Sequence, residues 1–136
     1  MHFRIRIPSS VKSIGKHCFS RCLKLKKVLI SNNSQLKIIG EDSFSKTSIE
    51  SITIPKHVSI IKKEAFYQSD QLKKVEFSDD SELLIFEESP FSDCNLESIK
   101  IPVHVKEIGD ACIDNSLKIQ NLKNLVHLIL RIFFIF

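Results

Sequence analysis

The sequence predicts a solenoid of stacked coils, with a parallel β-sheet along one side and turns along the other. Three observations support this fold class. One segment recurs at a fixed offset, a related segment lies midway between its copies, and the apolar positions of all copies coincide on alignment. Self-similarity at a fixed period of this size is the sequence signature of repeat architectures, in which each unit packs mainly against its neighbours.

The recurring segment begins with an Ile-Pro pair at Ile7, Ile54 and Ile101, which are 47 residues apart. Related segments begin at Val28 and Val75, so the structural unit has half that length. Three copies at one offset in a chain of 136 residues indicate repetition of a structural unit rather than coincidence.

Each unit is predicted to contain one strand with a single buried face. Ile52 and Ile54 alternate with Ser51 and Thr53, which is the period-two pattern of a half-buried strand. The equivalent apolar position recurs every 23 or 24 residues. It is occupied by Ile5, Val28, Ile52, Val75, Ile99 and Leu122. The sequence therefore predicts an array of about five coils over residues 2–124, with the strands side by side in a parallel sheet.

The rest of each unit is predicted to be a second short extended piece, such as Val58–Ile61, followed by a turn. Lys63–Tyr67 fits one helical or 3₁₀ turn and no more. Gly15, Gly40 and Gly109 share one slot, where we expect a left-handed backbone that costs glycine least. One such unit buries too few apolar side chains to fold alone, so neighbouring coils must cover its two open faces.

Two further columns are predicted to run through the stack. The first is an apolar ladder formed by Phe19, Phe44, Phe66, Phe91 and Ile113. The second lies three residues later and consists of the small side chains Cys22, Thr47, Ser69, Cys94 and Ser116. Because side chains of this kind can hydrogen-bond to the backbone of a turn, we interpret the second column as structural.

Together these positions resemble the BspA-like leucine-rich repeats, whose pattern is approximately A-F-x-x-C-x-x-L-x-x-I-x-I-P-x-x-V-x-x-I-G-x-x-A-F. The match is close at Cys94, Leu96, Ile99, Ile101, Pro102, Val105, Ile108 and Gly109. The resemblance covers roughly residues 2–122. It implies a right-handed leucine-rich-repeat superhelix from a bacterial or protist surface protein that acts in adhesion and partner binding. It brings no catalytic residues and no cofactor.

The four cysteines are predicted to be free and mostly buried thiols. Neighbouring strands of a sheet lie ~4.8 Å apart, which places Cys18 ~19 Å from Cys112 and Cys22 ~14 Å from Cys94. A disulfide needs Cα atoms within ~7 Å. Cys18 with Cys22, or Cys94 with Cys112, could approach more closely, but neither pair has the spacing of a zinc site.

The sequence predicts a binding protein rather than an enzyme. His57 and His104 share a slot two coils apart, and their separation of ~10 Å is too large for both to bind one zinc ion. We therefore interpret them as turn residues and expect no metal. The acidic residues that precede each ladder position are explained by a short helical turn that favours negative charge at its start. No acid, base or nucleophile converges with them.

The outward positions of the predicted strands are the candidate partner-binding residues. They are basic at Arg4, Arg6, Lys27, Lys74, Lys100 and Lys123, and acidic at one position, Glu76. A shallow basic surface on the concave side of the array suits an acidic protein, including a host or matrix protein, or an acidic glycan. Nucleic acid is less favoured because no aromatic side chains interleave to stack bases. The alternative is a solvated, lysine-rich sheet with no ligand.

Residues 125–136 depart from the repeat: ten of the twelve are apolar, with His127 and Arg131 as the exceptions. A membrane helix needs ~20 apolar residues, so this tail is not expected to span a membrane. It is predicted to cover the open end of the array, or else to be the remnant of a truncated reading frame. No secretory signal precedes the first unit, so the surface location implied by the resemblance has an intracellular protein-interaction scaffold as its alternative. We interpret the formal net charge of +4 as charge spread along the chain.

Overall fold

The computed structural model describes residues 3–112 and the backbone of residues 118–120. Each coil contributes one longer strand and one strand of two residues. The longer strands are β1 (Phe3–Ile7), β3 (Leu25–Ile30), β5 (Ser51–Ile54), β7 (Lys74–Phe77), β9 (Ser98–Lys100) and β11 (Lys118–Gln120). The short strands are β2 (Ser13–Ile14), β4 (Ile38–Ile39), β6 (Ile60–Ile61), β8 (Ile85–Phe86) and β10 (Glu107–Ile108).

The strands pair in parallel along two sides of the stack. The short strands form one five-stranded sheet in the order β10-β8-β6-β4-β2. Among the longer strands, β1 pairs with β3, and β5, β7, β9 and β11 form a second ladder. β3 packs against β5 without ladder pairing between them. The predicted solenoid of about five coils with a parallel sheet is confirmed.

The core contains a ladder of stacked phenylalanine rings, as predicted. The ring centroids of Phe19 and Phe44 are 5.3 Å apart, those of Phe44 and Phe66 are 5.4 Å apart, and those of Phe66 and Phe91 are 5.6 Å apart. The planes of each pair lie within 18° of parallel. Phe44 and Phe66 are completely buried. Stacking at this distance contributes beyond simple burial, so the ladder fixes the coil spacing on the turn side.

The column of small side chains links interior coils to one another through Thr47, Ser69 and Cys94. The Ser69 hydroxyl donates to the Phe44 carbonyl at 2.7 Å and lies 3.0 Å from the Thr47 hydroxyl. The Cys94 thiol donates to the Phe66 carbonyl at 3.0 Å. The structural interpretation of this column is confirmed, although its backbone partners belong to the neighbouring coil rather than to the same turn.

The turns contain left-handed residues on either side of each ladder position. Those two residues before it are His17, Asp42, Glu64, Ser89 and Ala111, and those two residues after it are Arg21, Lys46, Gln68 and Asp93. A residue in the left-handed conformation cannot continue a right-handed helix. The segment Lys63–Tyr67, for which one helical or 3₁₀ turn was predicted, therefore forms hydrogen-bonded turns instead. The backbone N–H groups of Phe66 and Gln68 instead donate to Pro90 and Ser92 of the next coil, both at 2.8 Å.

The same finding corrects the explanation of the acidic residues. Glu64 is itself left-handed, at φ of 55°, and left-handed residues directly follow Glu41, Glu88 and Asp110, so there is no helix start for these carboxylates to stabilise.

At Gly40 and Gly109 the glycine slot is explained by close backbone approach and not by a left-handed backbone. None of the described glycines has a positive φ, so that prediction is wrong. A Cβ atom on Gly40 would lie 2.2 Å from the Ile14 carbonyl oxygen, and one on Gly109 would lie 2.7 Å from the Glu87 carbonyl carbon. Gly15 has no atom within 4 Å of that position.

The last coil is shorter than the spacing predicted. β11 pairs with β9 so that Ile119, rather than Leu122, lies beside Ile99. The predicted strand position at Leu122 is therefore wrong. The ladder residue Ile113, the candidate Lys123 and the apolar tail at 125–136 lie outside the described residues.

Candidate partner-binding surface

The outward side chains of β1, β3, β5, β7 and β9 form one continuous surface, here called the strand face. The register places Arg4 beside Lys27, and Ser51 beside Lys74, which lies beside Ser98. Thr53 and Glu76 follow in the next row. With neighbouring strands ~4.8 Å apart, these positions form a regular grid.

The structure brings five of the six predicted candidates onto this face. Arg4, Arg6, Lys27, Lys74 and Lys100 are all exposed. They are not equivalent, because the Lys74 ammonium lies 2.8 Å from the Glu76 carboxylate. The hydrogen bond that the Lys74 ammonium donates to Glu76, together with the negative charge of Glu76, raises the pKa of Lys74. The charge of Lys74 is thus balanced by Glu76. The unpaired cations of the strand face therefore fall into two parts, with Arg4, Arg6 and Lys27 on one side of Lys74 and Lys100 on the other.

A cavity of about 500 Å³ opens on the strand face beyond Lys74. Phe77 and Val103 form its apolar wall, and Val103 is 64% exposed. Lys100 and Ser78 line its polar side, and the buried Ser78 hydroxyl has no hydrogen-bond partner among the described residues. The sequence reasoning missed this cavity. The available signal was an apolar side chain at Val103, in the turn position that Ser9 and Lys56 occupy in related coils.

The charges are strongly segregated along the array, which corrects the interpretation of evenly spread charge. Nine lysine and arginine residues precede Glu41, the first acidic residue of the chain. Residues 41–112 carry fifteen acidic residues against eight lysine and arginine residues. The net charge of +4 therefore combines a basic segment, residues 3–40, which carries nine positive charges, with an acidic segment, residues 41–112, which carries a net seven negative charges, and with residues 113–136, which add two positive charges.

Ion pairs between coils use only part of the basic segment. Lys16 pairs with Glu41 at 3.8 Å, and Lys26 pairs with Glu50 at 3.7 Å. Among the described residues, the other cations of this segment have no carboxylate within ion-pair distance. They are Arg4, Arg6, Lys12, Arg21, Lys24, Lys27 and Lys37.

The two histidines that share a slot are turn residues, as predicted. The His57 ring nitrogen lies 3.0 Å from the Glu82 carboxylate of the next coil, and this hydrogen bond lowers the pKa of Glu82. His104 also lies in a turn. Within residues 3–112, no three His, Cys, Asp or Glu side chains lie close enough together to hold a metal ion.

The cysteines differ more than predicted. All four are free, but Cys18 and Cys22 are exposed, Cys94 is partly buried and Cys112 is buried. The expectation of mostly buried thiols is wrong for the first two, because the coil that carries them is covered by a described neighbour on one side only. Burial raises the pKa of Cys94 and of Cys112 to about 12.

The described part of the chain has no helix of the length and apolarity that a membrane span requires.

A model of the BspA-type leucine-rich-repeat region matches residues 3–122 in six copies. The chain belongs to the BspA-type leucine-rich-repeat family. This confirms the resemblance drawn from the repeat positions. Among curated proteins, none matches the chain.

Solved structures with the same architecture come from bacterial proteins. The pneumococcal vaccine antigen PcpA matches 87% of this chain with 33% identity and a TM-score of 0.79, and the chain spans 30% of that structure's length. A leucine-rich-repeat protein from Bacteroides capillosus matches 87% of this chain and 77% of its own, with 24% identity and a TM-score of 0.55. A leucine-rich cell surface protein from Faecalibacterium prausnitzii matches 85% of this chain and 46% of its own, with 22% identity and a TM-score of 0.50. The last two support the fold alone.

Proposed function

We propose that the chain is a non-enzymatic protein-binding module of a cell-surface protein that acts in adhesion, and that its strand face recognises the partner. The observation that carries this proposal is the cavity on that face. Its apolar wall, Phe77 and Val103, is bordered by the polar side chains of Lys100 and Thr53. An apolar anchor site surrounded by polar groups is the usual composition of a protein interface.

The other sides of the coils are used to hold the stack together. On the turn side, the ladder residues and the left-handed residues beside them exchange hydrogen bonds with the next coil. Ion pairs such as Lys63–Glu88, at 3.3 Å, also connect successive coils there. The strand face has its backbone paired with neighbouring strands, while its outward side chains Thr53 and Lys100, and Val103 in the turn that follows β9, are exposed. Exposed side chains that do not hold neighbouring coils together are the ones best able to contact a partner.

The proposed location rests on the relatives. PcpA is a pneumococcal vaccine antigen, and the F. prausnitzii protein is a leucine-rich cell surface protein. We propose the same location for this chain, and we propose host or matrix proteins as the partner class because a surface-exposed array meets them first.

A matched pair of charge reversals tests the binding face. Lys100 lines the cavity on the strand face, and Lys106 precedes β10 on the short-sheet side. Both are exposed, and neither ammonium pairs with a carboxylate within residues 3–112. The parent chain, Lys100→Glu and Lys106→Glu should be measured by surface plasmon resonance against a panel of immobilised extracellular-matrix proteins.

We expect the parent to bind at least one panel protein, Lys100→Glu to bind it about tenfold more weakly, and Lys106→Glu to bind as the parent does. Val103→Asp should act like Lys100→Glu, because it places a charge in the apolar wall. Thermal melts of all variants should coincide, since the changed side chains are exposed. Loss of binding in Lys106→Glu alone would place the interface on the short-sheet side, and failure of the parent to bind any matrix protein would contradict an adhesive function.

A further inference from the structure

We propose that the basic segment, residues 3–40, is a docking site for a linear sulfated polysaccharide. The seven cations without an ion-pair partner in the described part of the chain supply the charge, and no acidic residue lies among them in sequence. This ligand differs in class from the protein partner proposed above, and its site lies at the opposite end of the strand face from the cavity.

The first argument is unrelieved repulsion between neighbouring cations. Arg4 and Lys27 are register partners on adjacent parallel strands, so their Cα atoms are separated by about one strand spacing, ~4.8 Å. Like charges at such positions destabilise a sheet. Neither Arg4 nor Lys27 has a carboxylate at ion-pair distance among the described residues, whereas Lys74 on the same face lies 2.8 Å from Glu76. An external anion placed between Arg4 and Lys27 would supply the missing negative charge.

The second argument is the distribution of the cations around the coil. Arg4, Arg6 and Lys27 lie on the strand face. Lys12 and Lys37 precede β2 and β4 on the short-sheet side, where the Lys37 N–H donates to the Lys12 carbonyl at 2.8 Å.

Two more cations continue this band. Arg21 lies in the turn that follows Phe19, and the Lys24 carbonyl accepts from the Phe3 N–H at 2.9 Å. Unpaired positive charge therefore occurs on three sides of the first coils. A rigid protein surface can contact one of these sides, whereas a flexible linear polyanion can follow the band from one side to the next.

The third argument concerns the chemistry of the anion. Arginine binds tetrahedral oxyanions through two parallel N–H donors, and a sulfate ester offers oxygens in that geometry. Nucleic acid offers phosphates of similar shape, but single-strand binding sites also stack bases on aromatic rings. In the basic segment Phe3 is the exposed aromatic residue, while Phe19 is half-buried and stacked on Phe44. One exposed ring does not form the series of stacking platforms that such sites use, so the charge favours a sulfated polysaccharide over nucleic acid.

The acidic segment sets the position of the ligand. Residues 41–112 have seven more acidic than basic residues, so they repel a polyanion that extends toward them. The polymer is thereby confined to the first coils, where it leaves the cavity beside Val103 free.

Heparin is the probe, and the full chain is measured by isothermal titration calorimetry at several salt concentrations. The test variant combines Arg4→Ser, Arg6→Ser and Lys27→Ser. The matched control combines Lys62→Ser, Lys73→Ser and Lys106→Ser, which removes the same charge from positions of the acidic segment that have no ion pair among the described residues and lie outside the proposed protein interface. A second test variant, Lys12→Ser with Arg21→Ser and Lys37→Ser, changes the other two sides of the band.

We expect the parent to bind heparin with affinity that falls as salt rises, because screened charge attraction dominates. Each test variant should bind about tenfold or more weakly, which corresponds to the loss of ~1.4 kcal/mol or more, and the control should stay within about twofold of the parent. The melting temperatures should not fall by much, since these lysines and arginines are exposed or half-exposed and make no ion pair among the described residues.

Three results would overturn the proposal. Equal weakening by the control would mean that heparin responds to net charge and not to this site. No effect of the second test variant would restrict contact to one side and remove the argument for a wrapping polymer. Single-stranded DNA or poly-glutamate of matched charge that bound as tightly as heparin would exclude a preference for sulfate. Matrix-protein binding that survives in the first test variant, with heparin binding lost, would separate this site from the proposed protein interface.

Discussion

The first coil and the third coil have the same repeat slots filled by similar residues, but the structure buries them to different degrees. Phe66 is completely buried between the rings of Phe44 and Phe91, whereas Phe19 is half-buried and stacks on Phe44 alone among the described rings. Ser69 is buried, while Cys22, in the equivalent slot, is exposed. A side chain in this array is therefore buried by the coils on either side of it, and a slot predicts burial only where both neighbours are present.

Charge follows the same division. The first coil lacks acidic residues and, among the described residues, pairs one lysine, Lys16, with the second coil, whereas the third coil pairs two lysines, Lys56 and Lys63, with the fourth. Lys63 lies 3.3 Å from Glu88, and the hydrogen bond with Glu88 is the main cause of the raised pKa of Lys63. The interior coils are thus packed and charge-paired with their neighbours more completely than the first coil, whose described lysine and arginine side chains make one ion pair, between Lys16 and Glu41. The three predictions below test that contrast.

Thiol reactivity should show the largest effect. Burial raises the pKa of Cys94 and Cys112 from 9.0 to about 12, which lowers their thiolate fraction about a thousandfold at pH 8. Cys18 and Cys22 are exposed and should react first. A thiol reagent such as dithionitrobenzoate should therefore modify two groups quickly and two slowly in the native protein.

Peptide mapping by mass spectrometry identifies which thiols react, and the denatured protein serves as control because all four should then react at similar rates without prior reduction. Fast modification of Cys94 in the native state would contradict its burial beside Phe66.

The phenylalanine ladder provides the second test. Phe66→Ala should lower the free energy of unfolding by ~3–5 kcal/mol, because it removes a ring packed on both faces. Phe19→Ala should cost about half as much or less, since Phe19 is half-buried and stacks on one ring. Urea denaturation followed by circular dichroism measures both changes. Equal costs for the two variants would show that the end coil is packed as well as the interior.

The glycine slot provides the third and smallest test. Gly40→Ala places a methyl group 2.2 Å from the Ile14 carbonyl oxygen, so backbone must shift and we expect a loss of ~1–3 kcal/mol. Gly15→Ala is the matched control, because the same methyl group would meet no atom within 4 Å. It should be neutral or slightly stabilising, through reduced freedom of the unfolded chain. Similar losses for both variants would indicate that backbone conformation, and not close approach, selects glycine here.

Much of the fold could be predicted because its information is local and repeated. The alternation of Ile52 and Ile54 with polar residues identified the strand face, and the spacing of the phenylalanines identified the ladder. The candidate site was predicted less well. The pairing of Lys74 with Glu76 requires side-chain geometry, and the cavity between Phe77 and Val103 requires two coils to be placed side by side.

The sequence by itself determined the repeat, the parallel order of the strands and the residues that face inward, since each follows from a pattern that recurs several times along the chain. The tertiary structure decided which equivalent residues differ. It alone showed that Gly40 lies against the Ile14 carbonyl, that Cys22 is exposed while Ser69 is buried, and that Ile119 lies beside Ile99. The physical reason is that a pattern specifies the average environment of a slot, whereas burial, charge pairing and close approach depend on which neighbouring coil is present.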